Sequence, residues 1–254
     1  RKYPFYSKSH ATLTPSWICE TDSGKKFLDK YEDAKTWAKK NKRKRIFQRD
    51  CLEIVLDLKG TEVSVFNCHF KSMGGDKNRS FAIRQLEAVT VHEIINRKFD
   101  NPAKAAEALW AVVGDLNDAQ KHIFVSRKKD NPEEIRKFSP SHSKKDSEKE
   151  ELGSGIDPLL DDGFGVNLAE TLASSEQWSL FYAPKSTKSQ LDYVIASPAL
   201  ARRISEPPRF IRKGQPYRVP NTDAVDRYSR IGWDRPKASD HCPLVVEFDI
   251  RASS

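Results

Sequence analysis

Four short stretches carry side chains that could move protons or hold a hard cation. They are Asn67-Cys68-His69-Phe70-Lys71-Ser72, Gly114-Asp115-Leu116-Asn117, Gln190-Leu191-Asp192-Tyr193 and Ser239-Asp240-His241-Cys242-Pro243. Hydrolysis of a phosphate ester needs an in-line water, neutralised phosphoryl oxygens and a protonated leaving oxygen. Aspartate oxygens suit Mg²⁺ or Mn²⁺ better than zinc, and such an ion neutralises developing charge without needing a proton. A histidine beside a carboxylate is held charged or in one tautomer. Taken singly, each stretch is weak. An Asp after a strand commonly forms a turn or caps a helix. The signal is recurrence: apolar strands end again and again in Asp, Asn or His. Burying such groups is costly unless they serve one another or a cation.

The text around these stretches says which elements would carry them. Cys51–Leu58 and Thr61–His69 read as strands joined by the tight turn Lys59-Gly60. In the second, Val63, Val65, Asn67 and His69 share one face by the two-residue period. The polar pair thus continues an apolar face at its carboxyl end. Arg79 to Phe99 has helical spacing and stops before Asn101-Pro102. Leu109–Gly114 is a short buried-type strand that delivers Asp115 and Asn117. Trp178–Ala183, Leu191–Ala196 and Leu244–Ile250 are further strands. Phe27, Leu28, Tyr31, Ala34, Trp37 and Ala38 step along one helix, whereas residues 1–24 read as irregular. Residues 201–239 read as a long basic connection. Residues 119–151 carry nine Lys/Arg and seven Asp/Glu with little apolar content, so an exposed, mobile insertion is expected there. This order of elements predicts an α/β layered fold with a mixed sheet.

Composition narrows the partners. The chain has 254 residues, which fits one domain, 1–254. Its net charge of +8 is patterned: Lys25–Arg49 holds eleven basic and three acidic residues, and Arg202–Lys237 ten and four. A polyanionic partner, nucleic acid foremost, is expected from that excess. Trp233 could stack on a base or sugar, and Arg235 and Lys237 could line the cleft beside it. No apolar run is long enough to cross a membrane as a helix. The four cysteines have no paired metal-ligand spacing, so a zinc knuckle is disfavoured. The compartment stays open, with a slight lean to the cytoplasm.

In this order, the four stretches resemble the endonuclease/exonuclease/phosphatase superfamily, metal-dependent phosphoesterases of DNase I type. The likeness runs from about residue 45 to residue 250. It includes His69-Phe70-Lys71-Ser72-Met73-Gly74-Gly75 and Gly232-Trp233-Asp234-Arg235-Pro236-Lys237-Ala238-Ser239-Asp240-His241-Cys242-Pro243. The resemblance implies a four-layer αββα sandwich and a Mg²⁺ or Mn²⁺ cofactor. It implies Asp240 as a metal ligand, with Asp115 beside the metal and orienting or deprotonating the attacking water. His241 would face the scissile phosphate, fixed by Asp192. His69 would be the second phosphate-facing histidine. Asn117 would position water, metal or phosphate oxygen, and Asn67, Lys71, Trp233 and Arg235 would contact substrate. Family members also carry an N-terminal half with an Asn and a metal-binding Glu, and residues 1–50 match neither motif. The resemblance therefore implies that this half, missing from the chain, comes from an absent segment or from another chain. The expected activity is DNA endonuclease. The alternatives are a phosphomonoesterase or sphingomyelinase-like phospholipase on the same centre, and a catalytically impaired nucleic-acid-binding domain.

Overall fold

The structure is a computed structural model that describes residues 3–125, 133–136 (backbone only), 153–219 and 226–250. In chain order the elements are β1 (Phe5–Ser9), α1 (Pro15–Ile18), α2 (Asp22–Asp29), α3 (Glu32–Lys40), β2 (Cys51–Asp57), β3 (Glu62–His69), α4 (Lys77–Lys98), α5 (Pro102–Glu107) and β4 (Trp110–Asp115). There follow β5 (His122–Val125), β6 (Glu133–Arg136), β7 (Val166–Asn167), β8 (Leu180–Tyr182), β9 (Thr187–Ser189), β10 (Asp192–Ala196), α6 (Pro198–Ala201), β11 (Ile204–Phe210) and β12 (Leu244–Phe248).

The main sheet has six strands in the order β1-β2-β3-β4-β10-β7, and a second has four in the order β6-β5-β9-β8. The strands β11 and β12 pair with each other. In the main sheet β3 and β4 are parallel, connected through α4 and α5, while the other neighbours are antiparallel. The hairpin between β2 and β3 turns on Lys59 and Gly60, both at positive φ (61° and 88°). Two left-handed residues in succession match the twist of a tight hairpin.

One face of the main sheet is closed by helices. Phe66, Trp110, Val112 and Ile195 pack there against Leu86, Val89 and Ile95 of α4 and against Ala34 and Ala38 of α3, all buried. Each large side chain removed from water in this way contributes about 1.5–3 kcal/mol. Helix α4 starts where Asp76 accepts a hydrogen bond from the Arg79 N–H, and it ends ahead of Pro102 at the start of α5. The opposite face is only partly covered. Ile204 of β11 with Val246 and Phe248 of β12 packs near Ala111, Val113 and Val194. A smaller core of Ile123, Trp178, Phe210 and Cys242 joins the four-stranded sheet to the β11–β12 pair.

The mixed α/β arrangement agrees with the sequence expectation, and several boundaries do not. Residues 1–24 are not wholly irregular, because β1 pairs with β2 at the edge of the sheet. No alternation marks β1, since every one of its residues is exposed. The single helix expected around Phe27–Ala38 is two helices broken at Lys30-Tyr31, where Tyr31 leaves helical geometry and its hydroxyl donates to Asp161. The basic connection 201–239 contains β11, whose Pro207-Pro208 and register shifts hide it from a periodicity reading. Residues 122–125 and 133–136 of the expected insertion are paired strands of the second sheet. The rest of that expectation, residues 126–132 and 137–151, lies outside the described residues.

Candidate active site

The register of the main sheet sets the site. His69 is the last residue of β3 and lies directly opposite Asp115, the last residue of β4. Asp115 in turn lies opposite Asp192, the first residue of β10. Residues paired across a ladder project to the same face, so the three side chains form a row along one rim. On the face that carries this row, the next rank inward is Asn67, Val113 and Val194, and Asn67 is exposed. The row therefore ends an apolar face, as the alternation in β3 led one to expect.

His241 reaches the row from the loop before β12. Its Nδ1 lies 2.7 Å from Oδ2 of Asp192. A carboxylate can only accept, so Nδ1 carries the proton in this contact. His69 Nε2 stands 3.5 Å from Oδ2 of Asp115. Asp115, Asp192 and His241 each offer a ligand atom, all within 4.8 Å of one another. The hydrogen bond to Asp192 raises the pKa of His241 against the opposing effect of burial. Burial raises that of Asp115, with the charge of Asp192 adding to it. Two half-buried carboxylates that repel each other would be relieved by a cation between them. The oxygen-rich set fits Mg²⁺ or Mn²⁺, which keep several waters and so need few protein ligands.

Two buried hubs hold the row in place. On one side Arg84, fully buried on α4, donates from Nε to Oδ2 of Asp118 at 2.8 Å and from Nη1 to the Lys71 carbonyl at 3.1 Å. The neighbouring Glu87 carboxyl accepts the Lys71 N–H at 2.7 Å, and burial pushes its pKa up to about 8. The Tyr193 hydroxyl donates to the Asp118 carbonyl or to that of Gln190, each 3.0 Å away. The loops after β3 and β4 are thus tied to β10 through one ion pair. On the other side Ser179, fully buried, accepts the N–H groups of Leu191 and Asp192. From the sequence, Arg84 and Glu87 at i, i+3 on the helix read as a structural rather than a catalytic pair, and their full burial agrees with that; Ser179 has no motif of its own.

The other expected site residues sort by position. Asn117 sits just past the row at a left-handed φ of 53°, which Asn tolerates. Its N–H donates to Asp115 and its Nδ2 to the Phe70 carbonyl at 3.2 Å, so it braces both loop ends. Lys71 enters this network through its backbone. Asp240 is not in the group of Asp115, Asp192 and His241; its carboxylate is 63% exposed and lies 3.8 Å from Lys237 Nζ. Trp233, 73% exposed, and exposed Arg235 lie on the loop that leads into Asp240 and His241.

No protein-family model matches the chain, and no curated protein matches it. Among solved structures, it is similar to an endonuclease/exonuclease/phosphatase from Beutenbergia cavernae (14% identity, TM-score 0.47, covering 96% of this chain and 45% of that one). It is also similar to an AP endonuclease from Archaeoglobus fulgidus (16%, 0.43, 78% and 65%) and to sphingomyelinase C from Streptomyces griseocarneus (19%, 0.36, 64% and 46%). The chain spans less than two thirds of each of these structures.

Proposed function

We propose that this chain carries the catalytic rim of a divalent-metal-dependent phosphodiester hydrolase that acts on DNA as an endonuclease. The observation behind this reading is the row His69, Asp115, Asp192 with His241 docked on its end. In the proposed reaction a water oxygen bonds to phosphorus and the opposite P–O bond breaks. The water proton passes to Asp115, which stands in the row between His69 and Asp192. The leaving oxygen takes a proton from His69. His241, held by Asp192, donates from Nε2 to a phosphoryl oxygen. A divalent ion held by Asp115 and Asp192, with Asp240 completing the oxygen set from the rim, would neutralise charge on the phosphoryl oxygens.

DNA is favoured as substrate by the basic stretch 202–237, which runs into the site through Lys237 and presents an exposed tryptophan. The part of the sheet face that β11 and β12 leave open supports a second part of this reading. Leu52, Ile54, Leu56 and Val65 are only partly buried there. Further polypeptide, from a segment outside these residues or from another chain, would cover them and complete the cleft. A catalytically impaired DNA-binding domain is the second reading, favoured by the position of Asp240 beside Lys237 rather than in the cluster.

The test is nicking of supercoiled plasmid with Mg²⁺ or with chelator. The expected result is Mg²⁺-dependent nicking that His241→Ala and Asp115→Asn abolish. Turnover confined to phosphomonoesters or sphingomyelin overturns the endonuclease reading, and tight DNA binding without turnover selects the impaired domain.

A further inference from the structure

We infer that Ser179 is a positioning residue: its buried hydroxyl sets the loop that brings Asp192 to His241. The inference rests on the proposed hydrolase reading for its activity readout and on hydrogen bonding for its geometry. Ser179 has no exposed surface. Its Oγ accepts the N–H of Leu191 at 2.9 Å and the N–H of Asp192 at 3.0 Å. Its own N–H donates to the Ser189 carbonyl at 2.9 Å, and its carbonyl accepts the Cys242 N–H at 2.7 Å. One residue thus grips the backbone on both sides of the Asp192–His241 contact: the amide of Asp192 itself and the amide that follows His241. The adjoining residue Leu180 bridges to His241 in the same antiparallel sense. The Leu191 carbonyl accepts from Leu116 at 2.8 Å, so the gripped loop also touches the segment between Asp115 and Asn117.

The chemistry explains why a hydroxyl is needed. Two successive backbone N–H groups converge on the Ser179 hydroxyl oxygen where β9 gives way to β10. A buried amide without an acceptor is costly, so the loop would re-aim to find one. Because Asp192 begins β10, re-aiming its amide swings its carboxylate. A displacement of about 1 Å at a reacting group can cost roughly 10²-fold in rate. The grip on Cys242 is through backbone and survives any side-chain change, so removing the hydroxyl loosens the Asp192 side alone.

The experiment compares Ser179→Ala and Ser179→Thr with the wild type over the full chain. Three readouts are taken: steady-state hydrolysis of bis-nitrophenyl phosphate with Mg²⁺, thermal unfolding, and residue-resolved amide exchange by NMR. For Ser179→Ala the expected result is a kcat lower by about 10-fold or more with KM within about 2-fold, consistent with lost positioning rather than lost binding. Amide exchange should quicken at Leu191 and Asp192 and stay slow at Cys242. Ser179→Thr, which keeps the hydroxyl, should restore both. If Ser179→Ala does not fold, Ser179→Cys fills the site with a weak acceptor and the same outcomes apply. Unchanged kcat, or unchanged exchange at Asp192, overturns the inference. A wild-type chain inactive on every phosphoester sinks the hydrolase reading instead, and the exchange comparison still decides what Ser179 holds.

Discussion

At the scale of single residues, the consequences are electrostatic. His241 keeps its proton to higher pH because Asp192 accepts from it. Its folded pKa is raised, so the pair stabilises the fold below the ordinary imidazole range, and that contribution is lost as pH rises through the folded value. Asp192→Asn removes the charge while keeping the shape. It should return His241 toward its ordinary pKa in an NMR titration and lower kcat of the proposed hydrolysis by about 10²-fold or more. Glu87 makes a separate prediction. Burial raises its pKa from 4.5 to about 8, so the neutral acid is favoured in the folded state. Stability from this group is complete below pH 4.5 and falls as pH climbs to about 8. Urea midpoints of wild type should therefore decline across that window more than those of Glu87→Gln; parallel curves would refute the assignment.

At the scale of elements, the parallel pairing of β3 with β4 is what aligns the row, and Gly114 is what permits it. Gly114 has a φ of +125°, and a Cβ there would stand 2.0 Å from the Cys68 carbonyl oxygen on the neighbouring strand. Backbone strain of this kind costs about 1–3 kcal/mol, before the clash is counted. Gly114→Ala should therefore lower the thermal midpoint and displace Asp115 from His69. Calorimetry and the loss of Mg²⁺-dependent nicking are the measurements. A fully stable, fully active variant would show that the strand ends are not held by this close approach. The hydrophobic periodicity of β2, β3 and α4 made those elements legible from the sequence. The strands β1, β5, β9 and β11 were not, because they are short, polar or proline-bearing and exist through pairing with partners distant in the chain.

At the scale of the whole molecule, the charge is segregated and the apolar surface is lopsided. The stretch 202–237 brings Lys237 to within 3.8 Å of Asp240 at the rim, and Arg235 lies exposed two residues earlier. The proposed binding to DNA should weaken as salt rises, with a logarithmic slope that loses about 0.9 for each phosphate contact removed. The double substitution Arg235→Ala and Lys237→Ala should flatten that slope in a fluorescence titration while plasmid nicking at low salt persists. An unchanged slope would move the DNA track elsewhere, with Lys25–Arg49 the next basic stretch to examine. The helices cover one face of the main sheet and leave Leu52, Ile54 and Leu56 on the other partly in water. β1 lies at the edge of that sheet with Phe5 68% exposed. Such a surface is a ready template for more polypeptide.

The sequence by itself determined the chemical types at the site and the strand ends that bear them. Alternation and strand-terminal polarity are local properties, and His69, Asp115 and Asp192 could be picked out from them, whereas His241 lies in the loop ahead of β12. Only the tertiary structure decided which of these meet. The sheet register put His69, Asp115 and Asp192 in one row, and the loop before β12 added His241 but turned Asp240 toward Lys237. The supports are the buried Arg84–Asp118 ion pair on one side and the Ser179 hydroxyl with its two backbone amides on the other. Contacts between residues far apart in the chain, and hydrogen bonds to backbone groups, leave no trace in residue spacing, so those supports became visible only once the chain was folded.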